Sequence, residues 1–90
     1  MNICVVSSFE GDVKEFMSMV AEFDEEFKEA ASDFEFGVVN TDKVGFSKII
    51  TIANITNEER FQEIMSSPRM IEWDKAHNNT DSIYSLERIN

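Results

Sequence analysis

Residues 46–55 read Phe46-Ser47-Lys48-Ile49-Ile50-Thr51-Ile52-Ala53-Asn54-Ile55. The run is rich in β-branched and apolar residues and has neither Pro nor Gly, which is the composition of a strand. Side chains of a strand alternate between faces, so Phe46, Ile50 and Ile52 point one way and Ile49, Ala53 and Ile55 the other. Both faces are apolar. A strand that must be dry on both sides belongs in the middle of a sheet covered on both sides.

Upstream, Thr41 to Gly45 reads as a turn, and Phe34 to Asn40 as a strand interrupted by Gly37, as an edge strand or a bulge would be. Before it lies the strongest periodic signal in the chain. Val13, Phe16, Met17, Val20, Phe23, Phe27 and Ala30 recur at spacings of three and four, which predicts one amphipathic helix. Asp12 and Glu15 have the spacing of a capping box at its start. The other face carries Glu15, Glu22, Asp24, Glu25, Glu26 and Glu29 and reads as solvated, because ligands on one exposed helix cannot close around a cation. Asn2 to Phe9 is the opening strand. It divides Ile3, Val5 and Phe9 from Cys4 and Val6, and Glu10-Gly11 ends it.

Downstream, Thr56-Asn57-Glu58-Glu59 reads as a second capping box, leading a helix with Phe61, Ile64 and Met65 inward. Ser67-Pro68 restarts that helix, with Ser as N-cap and Pro at the first helical position. The continuation buries Met70 and Trp73, with His77 on the same face, and Asn78-Asn79 ends it. Ser82 to Ile89 reads as the last strand, with Ile83 and Ile89 opposed to Tyr84 and Leu86. The order βαββαβ predicts an α+β domain, the ferredoxin-like arrangement with a four-stranded antiparallel sheet. That topology places the first and third strands centrally, and these are the most apolar ones.

Residues 1–90 make one domain of net charge −10 and sequence pI near 4.3, with 42% apolar and 11% aromatic content. This composition argues against disorder. A chain this short buries only about 60–65% of its unfolded surface and should be marginal alone or lean on a partner subunit. Its acidity argues against nucleic acid and anionic membranes as partners, since phosphate binding needs Lys and Arg. The start, Met1-Asn2-Ile3-Cys4, lacks the basic region of a signal peptide, so a cytoplasmic location is expected. One Cys and one His make a zinc site from this chain alone an unfavourable reading, and Cys4 reads as a small buried hydrophobe. Metal sites and cofactors are not expected. Residues 1–45 carry net −8 and residues 46–90 net −2, so most of the acidity belongs to the first helix.

Two helices cover one face of a four-stranded sheet. The other face is also apolar in sequence, and an exposed apolar face of that size is an association site. Pairing with a copy of itself predicts a homodimer packed sheet to sheet.

With length, element order and two-sided sheet in hand, the whole chain resembles the dimeric α/β-barrel superfamily of ferredoxin-like domains. That superfamily includes antibiotic-biosynthesis-monooxygenase-like, stress-responsive barrel and muconolactone-isomerase-like proteins. The most specific segment runs from Phe61 through Ser67-Pro68 and Trp73 to His77. The resemblance implies a pocket between sheet and helices in each protomer, but no single chemistry. Haem-degrading members carry a helix His, which His77 matches. They also need a Trp where this chain has Ser67, and a first-strand Asn near Val5. Two of three signature positions are missing, which speaks against haem.

Within this frame Phe16, Phe23, Phe61, Met65, Arg69, Trp73 and His77 are the expected ligand-binding residues. Phe and Met side chains adapt to apolar guests, and Arg69 or His77 at the mouth would receive an anionic head. The expected function is therefore a barrel that binds a fatty-acid-like carboxylate or another amphipathic molecule. A second reading is a cofactor-independent monooxygenase or isomerase, for which His77, Tyr84 and Arg88 are the candidate catalytic groups. A third is a non-enzymatic, stress-associated interaction protein whose Phe/Met stripe is ordinary core.

Overall fold

The computed structural model describes residues 1–89. The chain runs β1 (Ile3–Glu10), α1 (Val13–Glu22), α2 (Asp24–Ala30), β2 (Ala31–Val39), β3 (Phe46–Ile55), α3 (Glu58–Met65), α4 (Pro68–Ala76) and β4 (Thr80–Ser85). The strands form one antiparallel sheet in the order β2-β3-β1-β4. The two most apolar strands are central, as the alternation in residues 46–55 requires. This is the ferredoxin-like α+β fold.

The helix pair between β1 and β2 differs from the single helix expected. It breaks at Phe23 (φ −103°, ψ 14°), and a new helix starts at Asp24. Asp24, Glu25 and Glu26 supply the reason, because three consecutive carboxylates favour a helix N-terminus over a helix interior. The inward face of α1 also differs from the stripe expected. Met19 is buried, whereas Met17 is exposed. Two of the start signals hold as read. The Glu15 amide donates to Asp12 Oδ1 at 2.8 Å while the Asp12 amide donates to Glu15 Oε2 at 3.0 Å. Ser67 caps α4, accepting from the Met70 amide at 3.3 Å. Gly11 sits just before that capping box at φ +136°, and a Cβ there would collide with the Glu15 carboxylate.

The cap of α3 is Asn57, not Thr56: Asn57 Oδ1 accepts from the Arg60 amide at 3.0 Å. Thr56 is held elsewhere, its amide and that of Asn57 both donating to the Ala30 carbonyl at the end of α2 (2.8 and 3.0 Å). β2 begins at Ala31, and its irregularity lies between Ala31 and Asp33, while Gly37 pairs in register with Ile50. β4 is shorter than residues 82–89, for a simple reason. Ser85 already pairs with Ile3, so β1 runs out of backbone, and only the Leu86 amide, donating to the Asn2 carbonyl at 2.9 Å, extends the ladder. Arg88 and Ile89 lie beyond the strand and are exposed.

Val5, Phe9, Ile49, Ala53 and Ile55 pack against Phe16, Met19, Phe61, Ile64, Met70 and Trp73 from the helices. At the centre Phe9 stacks on Phe16 (centroids 5.5 Å apart) and Trp73 meets both edge-on, at 5.3 and 5.9 Å. Burying each such side chain contributes about 1.5–3 kcal/mol. The far face carries Cys4, Val6, Ile50 and Ile52, only partly buried, with Tyr84 exposed opposite Cys4.

Candidate functional site

Between the sheet and the helices lies a partly open cavity of about 50 Å3. Its apolar wall is built by Phe16, Met19, Phe27, Phe34, Phe36, Phe61, Met65 and Met70. Phe36, 39% exposed, stands at the surface. That volume has room for only a few water molecules. A ring-sized guest must therefore lie toward the mouth, displacing side chains such as Met65 and Phe36.

One wall is polar. Ser7, Asp74, Asn79 and Asp81 all line the cavity. Ser7 occupies the helix-facing side of β1 between Val5 and Phe9 and is almost fully buried. A hydroxyl in that place needs a partner. It finds one across the β1–β4 ladder, where Ser7 pairs with Asp81, and Ser7 Oγ donates to Asp81 Oδ1 at 2.6 Å. Asn79 Nδ2 donates to Asp74 Oδ1 at 2.9 Å and to Asp81 Oδ1 at 3.0 Å. Asn79 Oδ1 is buried and has no hydrogen-bond partner.

The turn after α4 sets this geometry. Asn78 takes the left-handed conformation (φ 49°), the Asn79 amide donates to the Asp74 carbonyl at 2.8 Å, and the Asn78 amide donates to the Lys75 carbonyl at 3.4 Å. These are the two bonds of a Schellman ending, which suits Asn at the left-handed position. The same turn folds the Asn79 side chain back onto Asp74. Burial holds the Asp74 carboxyl above its ordinary value; the nearby Asp81 charge acts in the same direction, and the Asn79 hydrogen bond opposes both. The wall is thus a hydrogen-bonded carboxylate pair with one unsatisfied acceptor beside it. It can receive a donor group, or take a proton.

Of the residues expected from sequence, Phe16, Phe61 and Met65 line this cavity. Phe23, Arg69, Trp73 and His77 do not. Arg69 is on the surface, donating from Nε and Nη2 to both oxygens of Glu22 (2.9 and 2.8 Å) and tying α4 to α1. Trp73 is core. His77 stacks on it (centroids 4.0 Å apart) while its Nδ1 lies 2.9 Å from the Trp73 carbonyl. Its Nε2 lies 3.9 Å from Glu15. Tyr84 is on the opposite sheet face and Arg88 beyond β4. His77, Tyr84 and Arg88 therefore share no cavity. The polar wall itself was missed in the sequence. The visible signal was Asn78-Asn79 as a helix ending, with a buried Ser inside an apolar strand as the second clue.

Among the described residues no group of three or more His, Cys, Asp or Glu side chains is placed to hold a metal ion, and no helix is long and apolar enough to cross a membrane. No protein-family model matches the chain, and no curated protein matches it.

Solved structures do match along nearly the whole chain. SnoaB, a cofactor-independent oxygenase from Streptomyces nogalater, superposes with a TM-score of 0.54 at 16% identity, over 97% of this chain and 94% of that one. An antibiotic-biosynthesis-monooxygenase-like protein from Bacillus cereus gives a TM-score of 0.51 at 14% identity, over 99% and 96%. A protein from Arabidopsis thaliana gives 0.55 at 12% identity, over 100% and 97%. The chain therefore has a ferredoxin-like fold, which these solved structures share.

Proposed function

We propose that this chain binds a small, uncharged, ring-bearing molecule at the mouth of the cavity, with a hydroxyl or N–H of the ligand turned to Asp74, Asn79 and Asp81. The observation that carries this reading is the polar wall, two carboxylates and an unsatisfied amide oxygen set into an aromatic and Met lining. Such a wall offers acceptors to a donor and repels an anion. A fatty-acid-like carboxylate would bring a third negative charge there, and Arg69, meant to receive it, is occupied by Glu22. The ligand class is thus a neutral donor rather than a carboxylate.

The assembly is a homodimer built on the open sheet face. Cys4, Val6, Ile50 and Ile52 leave that face apolar at its centre, and a copy of the same face is a complement that supplies itself.

A second reading has an observation of its own. Asp74 has its proton affinity raised by burial, which is how a carboxylate is brought toward use as a general base. In this reading Asp74 accepts the ligand's hydroxyl proton, the opening step of chemistry without a cofactor, and SnoaB is a fold relative described as a cofactor-independent oxygenase.

Paired titrations with 1-naphthol and 1-naphthoate test the proposal, followed by calorimetry and by amide shifts at Ser7 and Asn79. The ring is common to both, and the head group differs. Saturable binding of naphthol with little from naphthoate is expected. Equal or tighter naphthoate binding overturns the ligand class; no binding of either returns the chain to an interaction protein with an empty core.

A further inference from the structure

A different concavity lies on the other side of the sheet, about 350 Å3 in volume. The strand register places Lys48, Ser8 and Thr80 side by side across β3, β1 and β4 on the open face. Thr41 and Lys43 enter from the β2–β3 loop and Asn78 from the turn after α4. We infer that this concavity is a binding site for an oxyanion, the phosphate or carboxylate group of a small molecule.

The charge distribution carries the argument. The chain is at net −10, yet no Asp or Glu lines this concavity, and two of its eight bases converge there. Lys28, Arg60 and Arg69 are each already paired with carboxylates, whereas Lys43 and Lys48 enter no ion pair among the described residues. Lys43 is nonetheless positioned. Its Nζ lies 4.5 Å from the centroid of the Phe46 ring, a cation–π contact that holds the ammonium at the wall. The hydroxyls of Ser8, Thr41 and Thr80 and the amide of Asn78 add donors suited to oxyanion oxygens. Two positive charges in a concave surface of a negatively charged protein create a local field that concentrates anions. Phe46, 38% exposed, offers the remainder of the molecule an apolar surface.

This site is separate from the cavity on the helix side and takes an anion, where that cavity takes a neutral donor. It occupies the last two rows of the open face, Ser8–Lys48 and the Phe46 end of Glu10–Phe46, beside the loops, and so lies at the rim of the apolar rows that the proposed dimer covers.

The test is a 15N amide titration with inorganic phosphate and, separately, acetate, each against sodium chloride at matched ionic strength. Saturable shifts at Ser8, Lys48, Asn78 and Thr80 are expected for at least one oxyanion, and the comparison tells phosphate from carboxylate. Lys43→Gln and Lys48→Gln should each weaken binding about two- to fivefold, the range of an exposed charge contact. The double variant should lose saturation while the Trp73 region keeps its shifts. Linear shifts with both oxyanions, shifts matched by chloride, or binding unchanged in the double variant overturn the assignment. None of these outcomes depends on naphthol binding.

Discussion

Ser7 and Asp81, far apart in sequence, are joined by a hydrogen bond of 2.6 Å across the β1–β4 ladder, on the inner face of the sheet. That is the length of a hydroxyl donating to a charged carboxylate, a stronger bond than one between neutral groups. Ser7→Ala removes the donor and leaves Asp81 with Asn79 as its remaining partner. The expected cost is about 1.5 kcal/mol in urea unfolding. A double-mutant cycle with Asp81→Asn should show coupling between the two changes, and strict additivity would sink the assignment.

Asp74 gives a pH signature with a definite sign. Its folded carboxyl binds its proton more tightly than the unfolded one, because burial disfavours the charge. Stability from this group therefore falls as pH rises from the ordinary Asp range through the raised folded value. Asp74→Asn should flatten that segment of the stability profile and, under the general-base reading, abolish any turnover. Carboxyl 13C titration of the wild type is the direct check. A midpoint at or below the ordinary Asp value contradicts the argument.

Glu22 has the opposite sign. The hydrogen bond from Arg69 holds its carboxyl below the ordinary value. Its contribution is complete above the unfolded Glu pKa and is lost as pH falls through the depressed folded value. The pair is solvent-exposed, so the effect should shrink in high salt. Melting temperatures across acidic pH, compared between wild type and Arg69→Gln, should differ mainly above that transition and converge below it.

Charge placed on the open sheet face should separate the protomers. Ile52→Glu adds a carboxylate opposite Cys4, at the centre of the apolar rows. Light scattering at micromolar concentration should give a dimer for wild type and a monomer for the variant. A wild-type monomer removes the dimer.

The core sets the scale for all of these. Phe9→Ala empties a site between Phe16 and Trp73 and should cost about 3–5 kcal/mol. Against a typical total of about 5–15 kcal/mol, that brings a small domain close to unfolding, which far-ultraviolet circular dichroism on heating would record.

What could be read from sequence followed the range of the interactions involved. The two-sided alternation of β3, the Asp12–Glu15 box and the Ser67-Pro68 restart are signals within a few residues, and the structure places them as read. The break at Phe23 was local too, but the apolar stripe across it masked the three acids behind it. The end of β4 is set by where β1 ends, which no property of residues 82–89 reveals. The polar wall needs both the β1–β4 register and the turn at Asn78 before Ser7, Asp74, Asn79 and Asp81 become neighbours. Arg69 and His77 stand out in the sequence as scarce residue types, yet each is already engaged, by Glu22 and by Trp73.

The three-residue link between α4 and β4 is a party wall. Asn79 belongs to the cavity under the helices, and Asn78, beside it in the chain, to the basic concavity on the far side of the sheet. With Asn78 in the left-handed conformation, the two side chains are fixed relative to each other by one stretch of backbone. An occupant that shifts this turn from either side changes the room available on the other, and linkage makes that influence mutual. Asn78→Val, strained at φ 49°, would therefore disturb the neutral ligand and the oxyanion at once.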